Sequence, residues 1–268
     1  MQQEIILISL AILPVIVLAF FIYRKDKFNK EPLDMLVKAF AFGCLSVFPA
    51  GIIEGILSSA YSMFGGDYLP GAVSGAYTGF VVAGCTEELC KLLFLMLAVR
   101  RSAHFDEYFD GIVYATFVSL GFAGLENVMY VFNQETFAAS IMTGSMRAVL
   151  SVPAHFLFGV VMGYYYALYR FQPEDRGSNL FKAFFFPMLL HGTYDSLLMI
   201  PEAMGANGEL LAMIFFVVFI YFDVKLWKIG MRRLRKLQDL SAGQQTDSAN
   251  DDSYGNGGDA FTGFNWDV

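Results

Sequence analysis

Long apolar runs are the feature of this sequence that most restricts its fold. A membrane-spanning helix needs roughly 20 mostly apolar residues in succession. Hydrophobic residues make up 56% of the 268-residue chain, charged residues only 16%, and the mean hydropathy is +0.50. The sequence therefore predicts an all-α integral membrane protein, a bundle of about seven transmembrane helices. The runs that qualify as spans cover residues 4–23, 36–60, 76–99, 109–132, 148–169, 181–200 and 209–228.

The distribution of lysine and arginine predicts how these spans are oriented. Every basic residue except Lys91 and Arg147 falls in the connections that follow the first, third, fifth and seventh runs, or at adjacent span ends. The connections on the other side, 61–75, 133–146 and 201–208, carry none. Because basic connections stay in the cytosol, we expect the N-terminus outside and the C-terminus in the cytosol. The first run is expected to be retained, since its basic cluster follows it and no cleavage site ends it.

Composition divides the chain into two parts and excludes one class of partner. Residues 1–240 are predicted to form one polytopic membrane domain, whose core covers about 75–200. Residues 241–268 are rich in Gly, Asn, Asp and Ser, which predicts a disordered acidic cytosolic tail. No basic groove with interleaved aromatic residues occurs, so nucleic-acid binding is not expected. The three cysteines lie inside apolar runs and are interpreted as small buried side chains.

Ionisable side chains interrupt four of the apolar runs. Each costs roughly 2.5–3.5 kcal/mol on insertion scales, so each needs a partner or a purpose. Counted at about 1.5 Å per residue from the expected outer ends, the acids and histidines all lie about 8 to 17 Å deep. A shared layer indicates a single site, although a position near the outer boundary also allows Asp195 and Glu54 to be merely hydrated. The polar residues of this layer are Glu87, Glu88 and Lys91 in the third run, Glu126 and Asn127 in the fourth, His155 in the fifth, and His191 and Asp195 in the sixth.

Spacing along the helices predicts partners for these groups. Lys91 follows Glu87 by four residues and Glu88 by three, so it is expected to neutralise one acid and leave the other facing a cavity. Asp195 follows His191 by four residues and is expected to orient its imidazole. Glycines at four-residue spacing after His155, at positions 159 and 163, are expected to let another helix approach closely.

Carboxylates together with imidazoles can activate a water molecule. Three functions are compatible with such a set of side chains: a protease, a transporter and a non-catalytic scaffold. A protease would use a glutamate as general base and the histidines to stabilise the oxyanion or to protonate the leaving amine. The same residue types also bind zinc, with His155, His191 and Glu88 as candidate ligands, and the residues leave both mechanisms open. A proton- or cation-coupled transporter would use the acids as a relay. In a non-catalytic scaffold the polar groups would only hold the bundle together.

Four sequence blocks resemble those of the PrsW family of bacterial intramembrane proteases, which is related to the CAAX prenyl endoproteases and the Abi proteins. They are an EExxK motif at 87–91, a block at 109–114 followed by 121–127, His155 with Gly159, and the block 191–195. The resemblance implies a multi-pass protease of the bacterial inner membrane that cuts a single-span anti-sigma factor on its extracytoplasmic side. Family members are often labelled metalloproteases, which leaves zinc as a candidate cofactor. The resemblance also implies site residues, namely Glu87, Glu88 and His191 as the essential groups, with His155, Glu126, Asn127 and Asp195 completing the site.

Overall fold

The structure, a computed structural model, describes residues 2–27, 29–205 and 209–254, and this part of the chain is helical with no β-strand. Short connections join the helices, two of them with single 3-10 turns at Gly66–Tyr68 and Pro173–Asp175. The α-helices are α1 (Gln2–Lys25), α2 (Leu33–Met63), α3 (Gly71–Tyr77), α4 (Thr86–Val99), α5 (Tyr108–Phe132), α6 (Phe137–Val149), α7 (Ser151–Phe171), α8 (Arg176–Ala203) and α9 (Glu209–Tyr254).

Five helical stretches of the described chain are long and apolar enough to cross a membrane. Large apolar side chains on α1 and α2, such as Leu13, Phe20 and Ile52, are exposed on the outside of the bundle, where lipid would cover them. The all-α membrane fold predicted from composition is therefore confirmed. The five stretches are Gln2–Lys25, Leu33–Met63, Tyr108–Phe132, Phe137–Phe171 and Pro173–Ala203.

The third and seventh predicted spans are helical but differ in detail from the prediction. Residues 71–99 form α3, a π-helical segment at Thr78–Cys85, and α4 in unbroken succession. Helix α9 covers the seventh run and continues to Tyr254. The number of membrane crossings beyond five stays a prediction.

The tail boundary predicted at residue 241 falls inside helix α9. Tertiary hydrogen bonds hold this segment, because the Ser241 hydroxyl accepts from the backbone N–H of Phe109 at 2.9 Å and the Gln244 amide donates to the backbone carbonyl of Asp106 at 3.1 Å. Composition alone does not reveal such contacts. Residues 255–268, the rest of the predicted tail, lie outside the described residues.

Helix α5 is the centre of the bundle and packs against α2 on one side and α7 on the other. Glycines allow the close approach, as predicted for α7. A Cβ added at Gly163 would lie 2.3 Å from the carbonyl oxygen of Gly111, and one added at Gly159 would lie 2.8 Å from the Ser119 side chain. On the other face, a Cβ added at Gly121 would lie 2.1 Å from the carbonyl oxygen of Phe40. Substitution at these positions would force the helices apart.

Helix α6 occupies a region that was expected to be a connection. The Thr136 hydroxyl caps its N-terminus by accepting from the backbone N–H of Ala139 at 3.1 Å, an arrangement that stabilises helix starts. The helix ends at Val149 and meets α7 at Leu150. Arg147 is in its last turn, next to the polar layer of the bundle.

A buried acidic cluster lies at the opposite end of the bundle, where the α1–α2 and α4–α5 connections meet. Its carboxylates are those of Asp26, Glu31, Glu107 and Asp110, all buried. The Tyr114 hydroxyl donates to Glu31. Burial raises the pKa of Glu31 to about 7, that of Glu107 to about 7 and that of Asp26 to about 6. No basic side chain of the described chain forms an ion pair with the four acids.

Candidate active site

The π-helical segment places the two acids of α4 against α8. π-Helical turns are wider than α-helical turns and often occur at functional sites. Glycines bring the two elements into backbone contact, since a Cβ added at Gly84 would lie 2.8 Å from the backbone nitrogen of Gly192, and one added at Gly79 would lie 2.4 Å from the Ser196 hydroxyl oxygen. His191, the neighbour of Gly192, is thereby held beside the start of α4.

Lys91 is the centre of the polar cluster. Its ammonium donates to Glu87 Oε2 at 3.1 Å, to Glu88 Oε1 at 2.8 Å and to His155 Nδ1 at 3.0 Å. Lys91 and Glu88 are completely buried, and Glu87 is 5% exposed. The prediction for Lys91 differs from the structure in one respect, since the ammonium contacts both carboxylates instead of one. One ammonium is shared by two carboxylates.

His191 contacts carboxylates through both of its ring nitrogens. Nδ1 lies 2.8 Å from Glu88 Oε1, and Nε2 lies 3.2 Å from Asp195 Oδ2 and 3.9 Å from Glu87 Oε2. The predicted His191–Asp195 contact is confirmed. The ring also stacks on Phe158 at a centroid distance of 4.8 Å, which fixes its plane.

His155 connects the Lys91 cluster to α5. Its Nε2 lies 3.1 Å from Glu126 Oε2. An ammonium can only donate, so Nδ1 must accept from Lys91 and the ring hydrogen is on Nε2, directed to Glu126. Of the residues predicted for the site, Asn127 alone contacts neither an acid nor a histidine of the cluster. Its amide donates to the backbone carbonyl of Ala11 at 2.9 Å.

A cavity of about 970 Å³ opens onto one side of this cluster. Glu88 and Lys91 do not line it, because they lie behind Glu87. Glu54 of α2, for which simple hydration was one expectation, is half-buried on the cavity wall together with Gly51. The site residues that line the cavity are Glu87, Glu126, His155, His191 and Asp195.

Comparison with known proteins assigns the chain to a family. A sequence model described as PrsW family intramembrane metalloprotease matches residues 31–222. The chain belongs to the PrsW family. It is therefore an intramembrane protease, a peptide hydrolase of a multi-pass membrane fold, as the sequence blocks predicted. Membership of the PrsW family gives no support to the transporter interpretation.

Curated relatives named Protease PrsW match nearly the whole chain. The protein from Clostridioides difficile (strain 630) is 37% identical over 237 residues, which are 88% of this chain and 92% of the relative. The protein from Bacillus subtilis (strain 168) is 35% identical, covering 88% and 97% of the two chains. The protein from Geobacillus kaustophilus (strain HTA426) is 34% identical over 86% and 91%. No solved structure matches the chain.

The cluster of this PrsW-family chain has the donor atoms of a metal site. One ligand atom each from Glu87, Glu88, His155 and His191 lies within 4.8 Å of all the others, and the four residues are buried. Carboxylate and imidazole donors suit zinc. In addition, Glu88 Oε2 is buried and has no hydrogen-bond partner among the described residues. The donor set thus fits a metal ion, although the Lys91 ammonium contacts three of the four residues.

Arg147 is the functional-site residue that sequence reasoning missed. Its Nη2 donates to Glu126 Oε2 at 2.7 Å, and its Nε donates to Asn127 Oδ1 at 2.8 Å. It also lines the cavity. The sequence did contain a signal, since Arg147 and Lys91 are the two basic residues outside the connections assigned to the cytosol. Both residues turn out to pair with the acids of the cluster.

Proposed function

We propose that this PrsW-family protease hydrolyses a peptide bond of a single-span membrane protein, with Glu87 as the general base. One observation carries the proposal: of the two adjacent acids, Glu87 alone lines the cavity while its carboxylate also contacts Lys91. A base must reach both the water that it deprotonates and the groups that hold it in position. Glu87 meets both conditions, whereas Glu88 is enclosed.

The remaining acids and the lysine hold the reacting groups in place. Glu88 binds Lys91 and His191 from behind, so it keeps the cation beside Glu87 and the imidazole at the cavity. When the substrate carbonyl carbon is attacked, the water oxygen forms the new bond and its proton passes to the Glu87 carboxylate. Preorganised donors are then needed for the carbonyl oxygen, which becomes negatively charged.

The histidines are proposed as those donors and as the source of the proton for the leaving amine. His191 faces carboxylates at both nitrogens, an arrangement that favours the doubly protonated ring as proton donor. Its Nε2 lies 3.9 Å from Glu87 Oε2, so both would reach the same substrate bond. His155 carries its hydrogen at Nε2, which contacts Glu126 at the wall of the cavity and would turn from there toward the oxyanion.

In an alternative mechanism His155, His191 and Glu88 would hold a zinc ion and would leave a fourth position for water. Bound there, the ion would polarise the carbonyl and lower the pKa of its water. Metal analysis of the purified protein distinguishes zinc-assisted hydrolysis from hydrolysis by the glutamate and histidine side chains alone. One zinc per chain that is lost in Glu88→Gln would support the metal site, whereas full activity of zinc-free protein would assign the chemistry to the side chains alone.

The place of cleavage and the substrate class complete the proposal. The apolar runs favour seven crossings and the basic connections favour an N-terminus outside, while the resemblance favours the bacterial inner membrane. The cavity lies toward the end that lacks basic connections, which supports cleavage near the extracytoplasmic face. The resemblance stated above favours an anti-sigma factor as substrate.

Reconstituted proteolysis tests the proposed function. The protein and a single-span candidate substrate would be combined in liposomes, and products would be identified by mass spectrometry. We expect Glu87→Gln to lower the cleavage rate about 10²- to 10⁴-fold, the usual contribution of a general base. Glu135→Gln is the matched control, because it is the same change on the exposed α5–α6 connection. Equal cleavage by both variants would refute the role of Glu87.

A further inference from the structure

A second cavity lies between α7, α8 and α9, away from the active site. Its volume is about 440 Å³, within the range of ligand pockets. One wall is apolar and includes Phe186, Leu189 and Ile229. The rim is formed by Arg232, Arg233 and Lys236 of α9. We refer to these six residues as the basic groove.

The positive charges of the basic groove are not neutralised within the described chain. No ion pair there involves any of its three cations. Arg233 is instead held by aromatic groups: its Nη2 donates to the Tyr165 hydroxyl at 2.9 Å, and its guanidinium lies 4.3 Å from the centroid of the Tyr164 ring. Such contacts position a guanidinium while leaving its charge available to a ligand.

We propose that the basic groove binds one anionic phospholipid. Basic pockets between transmembrane helices recognise anionic lipid headgroups, because the phosphate meets the cations at the membrane surface while the chains follow the apolar wall. Leu189 is 40% exposed on that wall, so an acyl chain reaches the groove directly from the bilayer. A soluble phosphate would satisfy the cations but would leave Phe186 and Ile229 uncovered. The combination of charge and apolar surface favours the lipid.

The bound lipid would contact α8, the helix that carries His191 and Asp195. Leu189 precedes His191 by two residues on α8, and the two side chains leave the helix in different directions. The lipid would therefore brace α8 from the side opposite the cluster. Binding itself does not depend on the proposed peptidase chemistry, and its test uses no proteolysis.

Diffuse attraction of any basic helix end to anionic lipid is the competing explanation, and α9 provides a matched control. Lys228 and Arg235 are exposed on the same stretch of α9 but do not line the groove. The variants Arg232→Gln/Lys236→Gln and Lys228→Gln/Arg235→Gln remove the same charge from the same helix. Arg232 and Lys236 are exposed as well, so both pairs should leave the fold intact.

Native mass spectrometry of the full chain in detergent measures the binding. Phosphatidylglycerol and phosphatidylcholine with the same acyl chains would be titrated separately. We expect one phosphatidylglycerol per chain to bind preferentially, and Arg232→Gln/Lys236→Gln to weaken it roughly tenfold or more. The Lys228→Gln/Arg235→Gln pair should change the affinity less than twofold. Equal weakening by the two pairs, or equal binding of the two lipids, would overturn the site.

A competition arm distinguishes lipid from free anion. Inorganic phosphate and glycerol phosphate carry the headgroup charge without acyl chains. Neither is expected to displace phosphatidylglycerol at millimolar concentration, because neither covers the apolar wall. Displacement by either one at low concentration would show a site for soluble anions and would also overturn the proposal.

Discussion

Lys91 Nζ lies 3.0 Å from His155 Nδ1, so a buried ammonium determines which nitrogen of the imidazole carries the hydrogen. The same ammonium contacts both acids of α4, which links the His155 half of the cluster to the His191 half. The tautomer of one histidine and the charge of the acid pair are therefore set by a single side chain. Removing it should disturb both.

Substitution of Lys91 is expected to destabilise the fold strongly. Lys91→Met leaves two buried carboxylates without their cation, and breaking a buried ion pair from one side typically costs about 3–5 kcal/mol. The double variant Glu88→Gln/Lys91→Met should recover part of this loss, because it removes a buried charge as well. Thermal unfolding in detergent measures both. A double variant no more stable than Lys91→Met would contradict the pairing.

Arg147→Lys is expected to reduce cleavage while retaining the charge. A lysine cannot reproduce the two-pronged contact with Glu126 and Asn127. Glu126 then loses its fixed position beside His155, and small displacements of this kind cost up to about 10²-fold in rate. We expect a cleavage rate lowered roughly 10- to 100-fold with a nearly unchanged unfolding temperature. Arg101→Lys, on the exposed α4–α5 connection, serves as control, and equal rates for the two variants would argue against this role.

Gly84→Ala is expected to impair both activity and stability, unlike Gly55→Ala. The new methyl group at Gly84 would lie 2.8 Å from the backbone of Gly192, so α4 and α8 must separate and His191 must move away from the acids. A Cβ added at Gly55 would meet no atom of the described residues within 4 Å, so the same substitution has free space. Overpacking costs typically about 1–3 kcal/mol. Comparison of unfolding temperatures and cleavage rates checks this, and similar behaviour of the two variants would count against it.

The stability of the protein is expected to fall as the pH rises from about 5 to 8. The pKa of Glu31 is raised by burial from 4.5 to about 7, and that of Glu107 likewise to about 7. At pH values between 4.5 and about 7, the two glutamates keep their protons in the folded state but lose them in the unfolded state. Raising the pH through this range therefore favours unfolding. Unfolding temperatures measured across this range should decline, and less steeply in Glu31→Gln. The exposed Glu174→Gln is the control, and identical slopes for the two variants would exclude Glu31 as a cause.

The long apolar runs and the regular spacing within helices made much of this structure predictable. Hydropathy located the helices, and the four-residue spacing of His191 and Asp195 predicted a contact that the structure contains at 3.2 Å. These features depend on neighbouring residues, so periodicity reveals them. The shared depth of the acids and histidines likewise predicted that they come together.

Other contacts between distant segments could not be predicted. Arg147 belongs to the short helix α6, which packs against α1 and α5 and was expected to be a connection. Glu54 of α2 lines the cavity together with residues from distant parts of the chain, such as Glu126 and Asp195. The C-terminal part of α9 is polar, and it is anchored by contacts such as that of Ser241 with Phe109. Local periodicity does not encode these contacts, although the position of Arg147 outside the cytosolic connections was a signal that it is unusual.

The π-helical segment is a place where the chain can lose one residue without a change in the rest of the bundle. With hydrogen bonds from residue i to i+5, Thr78–Cys85 contains about one residue more than α-helical turns would need. A chain shortened by one residue here would close the same turns with ordinary α-helical bonds and keep the later residues in register. A deletion inside α5 would instead rotate everything after it by about 100°. Relatives that differ in length within the helices of the site are thus expected to gain or lose residues at this segment first.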